Sequence, residues 1–265
     1  MATKTALITG ASGGIGLEFA RVFAREGYNL VLIARSEGKL NQLATELKNK
    51  HNIQVRVMAK DLVSVAASQE IFDTLTGDRI QIDVLINNAG FAGFGHFATE
   101  TKLEDELQMM QLNMVTLTLL TKLFLKPMVE RRSGKILNVA STASFQPGPL
   151  MAVYYATKAY VLSFSEAIAR ELEGTGVTVT ALCPGPTESG FQQRAAMEDS
   201  KLISNATMPM MTSAAVAEQG YRGLMSGKTV VIPGLTNKVG ALLPRFVPRG
   251  TATRIIMNMQ ERVGH

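Results

Sequence analysis

A strand-like run that breaks into glycines and resumes as a helix constrains this chain more than any other feature. Thr5–Thr9 (TALIT) leads into Thr9-Gly10-Ala11-Ser12-Gly13-Gly14-Ile15-Gly16, and helical spacing follows from Ile15 to Glu26. Glycines at such a junction let the backbone turn sharply and approach a bound group. The free amides and positive end of the next helix suit a phosphate. A glycine-rich loop alone also fits a plain turn, but its place between strand and helix favours nucleotide binding. The alternation then continues. Leu30–Ala34, Ile53–Ala59, Ile82–Asn87, Lys135–Ala140, Val177–Cys183 and Thr229–Ile232 read as further strands. Helical patterns separate them at Glu37–Lys50, Val65–Thr76, Leu103–Arg131, Ala152–Glu173 and Ser213–Ser226. Continuous apolar strands are covered on both faces, and strands alternating with helices form parallel sheets with right-handed crossovers. The expectation is one α/β domain over residues 1–265. It is a doubly wound, seven-stranded parallel sheet with helices on both faces, its ligand lying where the strand order reverses.

Composition narrows the chemistry. Cys183 is the single cysteine, so an intramolecular disulfide is excluded, and His51, His96 and His265 are too dispersed for a metal site. The net charge of +5, from 27 Lys+Arg against 22 Asp+Glu, is spread along the chain rather than gathered with aromatics, so no nucleic-acid partner is expected. The excess fits an ordinary solvated surface, and also an anionic ligand, an acidic carrier or a membrane face. The start MATKTALITG lacks the regions of a signal peptide, and no run of 18 apolar residues occurs. A soluble, cytoplasmic protein with no transmembrane segment is expected. Two stretches fit the alternation poorly: residues 188–212, with Met197, Met208, Met210 and Met211, and the extension 235–265, with Arg245, Arg249, Arg254 and Arg262 beside Ile255, Ile256, Met257 and Met259.

Tyr154 and Lys158 stand four apart on a predicted helix and so share a face. A phenol ionises near pH 10, so drawing it to neutrality requires about 4 kcal/mol of preferential stabilisation of the anion. A nearby ammonium supplies part of that. Read singly, the pair also fits an amphipathic surface. Ser141 has Thr142 and Ser144 as neighbours, Tyr155 reads as packing, and Asn113 also fits a polar break in an apolar helix.

Taken together, these residues resemble the short-chain dehydrogenase/reductase family. The likeness rests on TGxxxGxG at 9–16, Asn87-Asn88-Ala89-Gly90 after the fourth strand, Asn113 in the long helix and Ser141 after the fifth strand. Tyr154 to Lys158 (YxxxK) and Pro184-Gly185-Pro186-Thr187 after the sixth strand complete it, over about residues 3–234. The extended end is similar to the 3-oxoacyl-CoA reductase and hydroxysteroid dehydrogenase branch. The resemblance implies a Rossmann-type fold and a catalytic set of Asn113, Ser141, Tyr154 and Lys158. Tyr154 would protonate the substrate oxygen, Lys158 would hold ribose hydroxyls and lower the Tyr154 pKa, and Ser141 would donate to the developing alkoxide. Asn113 would hold a water. Cofactor contacts implied are Gly10, Ser12, Gly13, Gly14, Ile15 and Gly16 in the loop, with Asn88, Ala89 and Gly90 beside it. Asp61 and Leu62 would lie at the adenine, and Pro184, Gly185 and Thr187 at the far end; the alternative for Asp61 is a helix cap.

The second strand ends Ile33-Ala34-Arg35-Ser36, with no acid to bond a ribose 2′-hydroxyl, while Arg35 and Ser36 can bind a 2′-phosphate. NADP(H) is therefore the expected cofactor, although Gly13 stands where many NADPH-preferring members carry a second basic residue. By resemblance, Phe91, Phe94 and Phe97, then Phe145, Leu150 and Met151, and the methionine-rich lid 188–212 border the substrate pocket. Flexible methionines suit an adaptable apolar site, although core packing explains them equally. The expected activity is hydride transfer between NADPH and the carbonyl or alcohol carbon of an apolar ketone. Alternatives are a 3-oxoacyl-thioester (acyl carrier protein or CoA) reductase and a non-catalytic NADP-binding sensor or scaffold. Leu103–Met128 is apolar nearly all round and must be covered on several sides, and the resemblance implies a homodimer or homotetramer. The extension reads as a surface helix or a weak peripheral membrane contact.

Overall fold

Strand residues point alternately to the two sides of the sheet, and in this chain both sides are apolar. In β1 (Thr5–Thr9), Ala6 and Ile8 enter one core and Leu7 the other; in β2 (Asn29–Ala34), Leu30 and Leu32 oppose Val31 and Ile33. The computed structural model describes residues 3–190 and 210–261. Further strands are β3 (Val55–Ala59), β4 (Val84–Asn87), β5 (Gly134–Val139), β6 (Val177–Leu182), β7 (Thr187–Glu188), β8 (Met211–Thr212) and β9 (Val230–Val231). Seven of them form one parallel sheet in the order β3-β2-β1-β4-β5-β6-β9, the architecture expected from the sequence.

Helices α1 (Gly14–Arg25) and α2 (Glu37–His51) cover one face; α3 (Ala67–Gly77) covers the other. The predicted helix Leu103–Arg131 is interrupted. It comprises α4 (Leu103–Met110), a wide π-type turn at Gln111–Thr116, and α5 (Leu117–Glu130). Such widened turns put a residue out of the 3.6-residue register and often mark functional positions. As a whole, Leu103–Glu130 is long and apolar enough to cross a bilayer, contrary to the expectation that no segment would be. It nevertheless packs on the sheet core through Leu120, Phe124 and Met128.

Next come α6 (Ala152–Glu171) and α7 (Ser213–Met225), which lies beside α1. The extension folds as α8 (Leu235–Leu242), a 3₁₀ turn at Leu243–Phe246 and α9 (Arg249–Gln260). Of the expected lid, Met197 and Met208 lie outside the described residues. Its two ends meet as the β7–β8 pair, Glu188 opposite Thr212.

Candidate active site

The strand order reverses between β1 and β4, and the loops leaving these strands are stitched together there. Thr9 Oγ1 accepts hydrogen bonds from Asn88 N (2.9 Å) and Ala89 N (3.0 Å), and Asn88 Nδ2 donates to Thr9 O at 2.9 Å. Gly10 turns the chain with φ +67°, a region costly for other residues. At Gly16 a side chain would collide with the Gly10 carbonyl and Asn88. Gly16 is thus a packing residue behind the loop, outside the cavity lining, whereas Gly13 faces open space.

The loop floors a cleft of about 1310 Å³, beyond the roughly 300–1,000 Å³ of an ordinary single-ligand pocket. At one end lie Arg35, Ser36, Asp61 and Leu62, joined by Lys39 and Lys60, which sequence reasoning had not singled out. Asp61 Oδ1 accepts from Val63 N at 3.1 Å, so this residue both closes a turn and lines the cleft. Ser12, Gly14, Ile15, Ala89 and Gly90 run along the middle, and Pro184, Gly185 and Thr187 border the far end.

Ser141, Tyr154 and Lys158 line that far end. Ser141 leaves β5 and caps the 3₁₀ turn Thr142–Phe145, its Oγ accepting from Ala143 N (3.1 Å) and donating to Pro184 O (3.4 Å). Ser144 ties that turn to α6, its Oγ donating to Lys158 O at 2.7 Å. Lys158 Nζ donates to Val139 O at 2.8 Å and sits 5.8 Å from the Tyr154 ring centre. This leaves ammonium hydrogens for groups in the cleft.

Burial sets the electrostatics. It pushes the Tyr154 phenol up to about 12, opposed by a hydrogen bond with Ser141. It also pulls Lys158 down to about 8, opposed by Cys183 nearby. The sequence reading expected Lys158 to draw Tyr154 towards neutrality; in the protein itself desolvation dominates, and the opposing cause is the Ser141 hydrogen bond. The arrangement holds a protonated phenol and a hydroxyl side by side, as stabilisation of a developing oxyanion requires.

Asn113 lies outside the cleft. Set in the widened turn and 1% exposed, it clasps the Phe91 backbone, Oδ1 accepting from Phe91 N (3.2 Å) and Nδ2 donating to Phe91 O (3.0 Å). Nδ2 also donates to Thr157 Oγ1 at 3.1 Å, which in turn donates to Tyr154 O at 2.7 Å. These side-chain partners make Asn113 a link from the Asn88–Phe91 loop to α6, which carries Tyr154 and Lys158.

The expected pocket residues divide. Phe91 and Met151 line the cleft, whereas Phe94 is buried among Ala92, Met109 and Tyr155. Phe145 and Leu150 are also absent from the lining, and Phe97 is 63% exposed. The extension supplies much of the wall that the sequence did not assign: Leu243, Val247, Ile255, Ile256, Met259 and Gln260 all face the cleft. Gln260 Nε2 donates to Tyr155 Oη, and Ile256 packs with Tyr154 and Tyr155. Tyr155 thus packs, as expected, but it also anchors the end of the chain.

A model of the family described as short chain dehydrogenase matches residues 4–200. Human very-long-chain 3-oxoacyl-CoA reductase is 35% identical over 184 residues, 68% of this chain but 58% of that protein, so the chain matches less than two thirds of its length. A Sphingobium yanoikuyae short-chain dehydrogenase solved in complex with NADPH superposes with a TM-score of 0.81 at 31% identity, over 99% of this chain and 98% of the other. The Comamonas testosteroni bulky-bulky ketone specific alcohol dehydrogenase gives 0.78 at 29%, over 100% and 97%.

Proposed function

Because the chain belongs to the short-chain dehydrogenase family, we propose that it is an NADPH-dependent oxidoreductase that reduces apolar ketones and, in reverse, oxidises the corresponding alcohols. The bound dinucleotide would supply hydride to the carbonyl carbon. Everything else falls to this chain. Tyr154 donates its proton to the carbonyl oxygen, and the Ser141 hydroxyl hydrogen-bonds the same oxygen as charge develops. Lys158, fixed by Val139 O, directs its remaining hydrogens towards ribose hydroxyls. Arg35, with Lys39 beside it in the cleft, meets a 2′-phosphate as a charge-assisted pair.

The observation that carries this reading is the common wall of Ser141, Tyr154 and Lys158 in a cleft of about 1310 Å³, walled by the apolar side chains of the extension. A protein that only sensed NADP would have no use for a buried proton donor there. Resemblance to the human 3-oxoacyl-CoA reductase supports a second reading, reduction of a 3-oxoacyl thioester. An exposed apolar set, Leu103, Leu107, Met110, Val115 and Tyr160, supports self-association as a dimer or tetramer. The test is NADPH absorbance with a panel of bulky apolar ketones, small polar ketones and 3-oxoacyl thioesters. Turnover of bulky ketones is expected; turnover confined to thioesters selects the second reading. Oxidation of no NADPH with any carbonyl, despite tight NADPH binding, overturns the enzyme reading.

A further inference from the structure

The C-terminal elements wear apolar side chains on the outside. In α8, Leu235, Val239 and Leu242 recur at the i, i+4, i+7 spacing of one helical face, and that face is exposed. Asn237 and Ala241, on the opposite side, are the buried pair. The 3₁₀ turn that follows carries Phe246 at 84% exposure. Among these stand Lys238, Arg245, Arg249 and Arg254, all exposed, and the stretch from Leu235 to Gln260 contains no acidic residue. None of the ion pairs among the described residues engages Lys238, Arg245 or Arg249. Leu243 and Ile255 are exposed and also line the cleft, so its mouth opens on this same face.

We propose that this face docks the protein onto the surface of a bilayer containing anionic phospholipid, with the cleft mouth against the lipid. Outward apolar side chains gain by entering the boundary between headgroups and acyl chains, and interspersed cations gain from anionic headgroups. The chemistry distinguishes this occupant from others. An acidic carrier protein answers the cations but gives Leu235, Val239, Leu242 and Phe246 no apolar medium. A second copy related by two-fold symmetry sets four cations against four. The proposal does not depend on the substrate reading above, because it is tested by binding alone.

The full chain is sedimented with unilamellar vesicles of phosphatidylcholine, with and without anionic phosphatidylglycerol. Strong pelleting with the anionic vesicles, weakened by salt, is expected, with little on neutral ones. Leu242→Ser with Phe246→Ser is expected to lower partitioning about tenfold or more. Arg245→Gln with Arg249→Gln is expected to lower it about fivefold per charge on anionic vesicles only. Melting temperature reports whether each variant folds, and the charge variants test the proposal even if the serine pair does not fold. Absence of pelleting, or pelleting unchanged by the charge variants, overturns it. So does a dimer that the serine variant splits while vesicle binding is absent, or retention on an acyl carrier protein without vesicle binding.

Discussion

The two ends of the cleft are built on opposite principles. At the end bordered by β2 and β3, Arg35, Ser36, Lys39 and Asp61 are exposed, and their charges sit in water. At the other end, Tyr154 and Lys158 are 8% and 6% exposed, and the neighbouring backbone holds Lys158. Exposed charges cost little to keep and little to change, so they suit a choice between similar cofactors. Buried ones perturb proton affinity strongly and need a rigid frame, so they suit chemistry.

Breaking the buried end should cost most. Tyr154→Phe removes the proton and is expected to lower turnover about 10²- to 10⁴-fold while NADPH still binds, measured by steady-state kinetics and cofactor titration. At the exposed end, Arg35→Ala should weaken NADPH about 10- to 100-fold and leave NADH nearly unchanged. Equal losses for both cofactors would remove the guanidinium from 2′-phosphate recognition. Proton affinities sharpen the contrast further. Lys158, drawn down to about 8, sheds its charge above that pH while Tyr154, near 12, keeps its proton, so ketone reduction should be level to about pH 8 and then decline. A rate level to pH 10 would dissociate the lysine charge from the reaction.

Smaller effects probe the wall and the frame. Gln260→Ala should raise KM for bulky ketones about three- to tenfold with KM for NADPH unchanged; the reverse pattern would place the extension with the cofactor. Lys158→Met should raise the melting temperature at pH 7 by about 2–4 °C, because a buried charge is removed. Lys158 has a folded pKa of about 8 against an ordinary 10.5, so between pH 8 and 10 the unfolded chain binds more protons and the wild-type protein gains stability as pH rises. The methionine variant should lack that slope.

The central strands were legible because they are short, largely apolar runs, a local property that burial on two faces imposes, while the edge strands β3 and β9 are only partly buried. The glycine loop was legible from its composition between strand and helix, although the contacts that demand glycine at 10 and 16 include Asn88 and Ala89, far along the chain. Other parts were not. Asn113 could be picked out by motif, but its clasp on Phe91 spans 22 residues, and the register change that permits it leaves no mark in the apolar pattern of the long helix. The link from Gln260 to Tyr155 crosses 105 residues. In α8 the usual rule misleads outright: the apolar stripe Leu235, Val239 and Leu242 reads as a core face and instead meets solvent.

The hydrogen bond from Gln260 to Tyr155 ties the last helix to the helix that carries Tyr154 and Lys158. The glycine loop and the tail meet the same cleft from opposite ends of the polypeptide. Rewriting the dozen residues of α9 therefore offers a route to new selectivity that leaves the nucleotide grip intact.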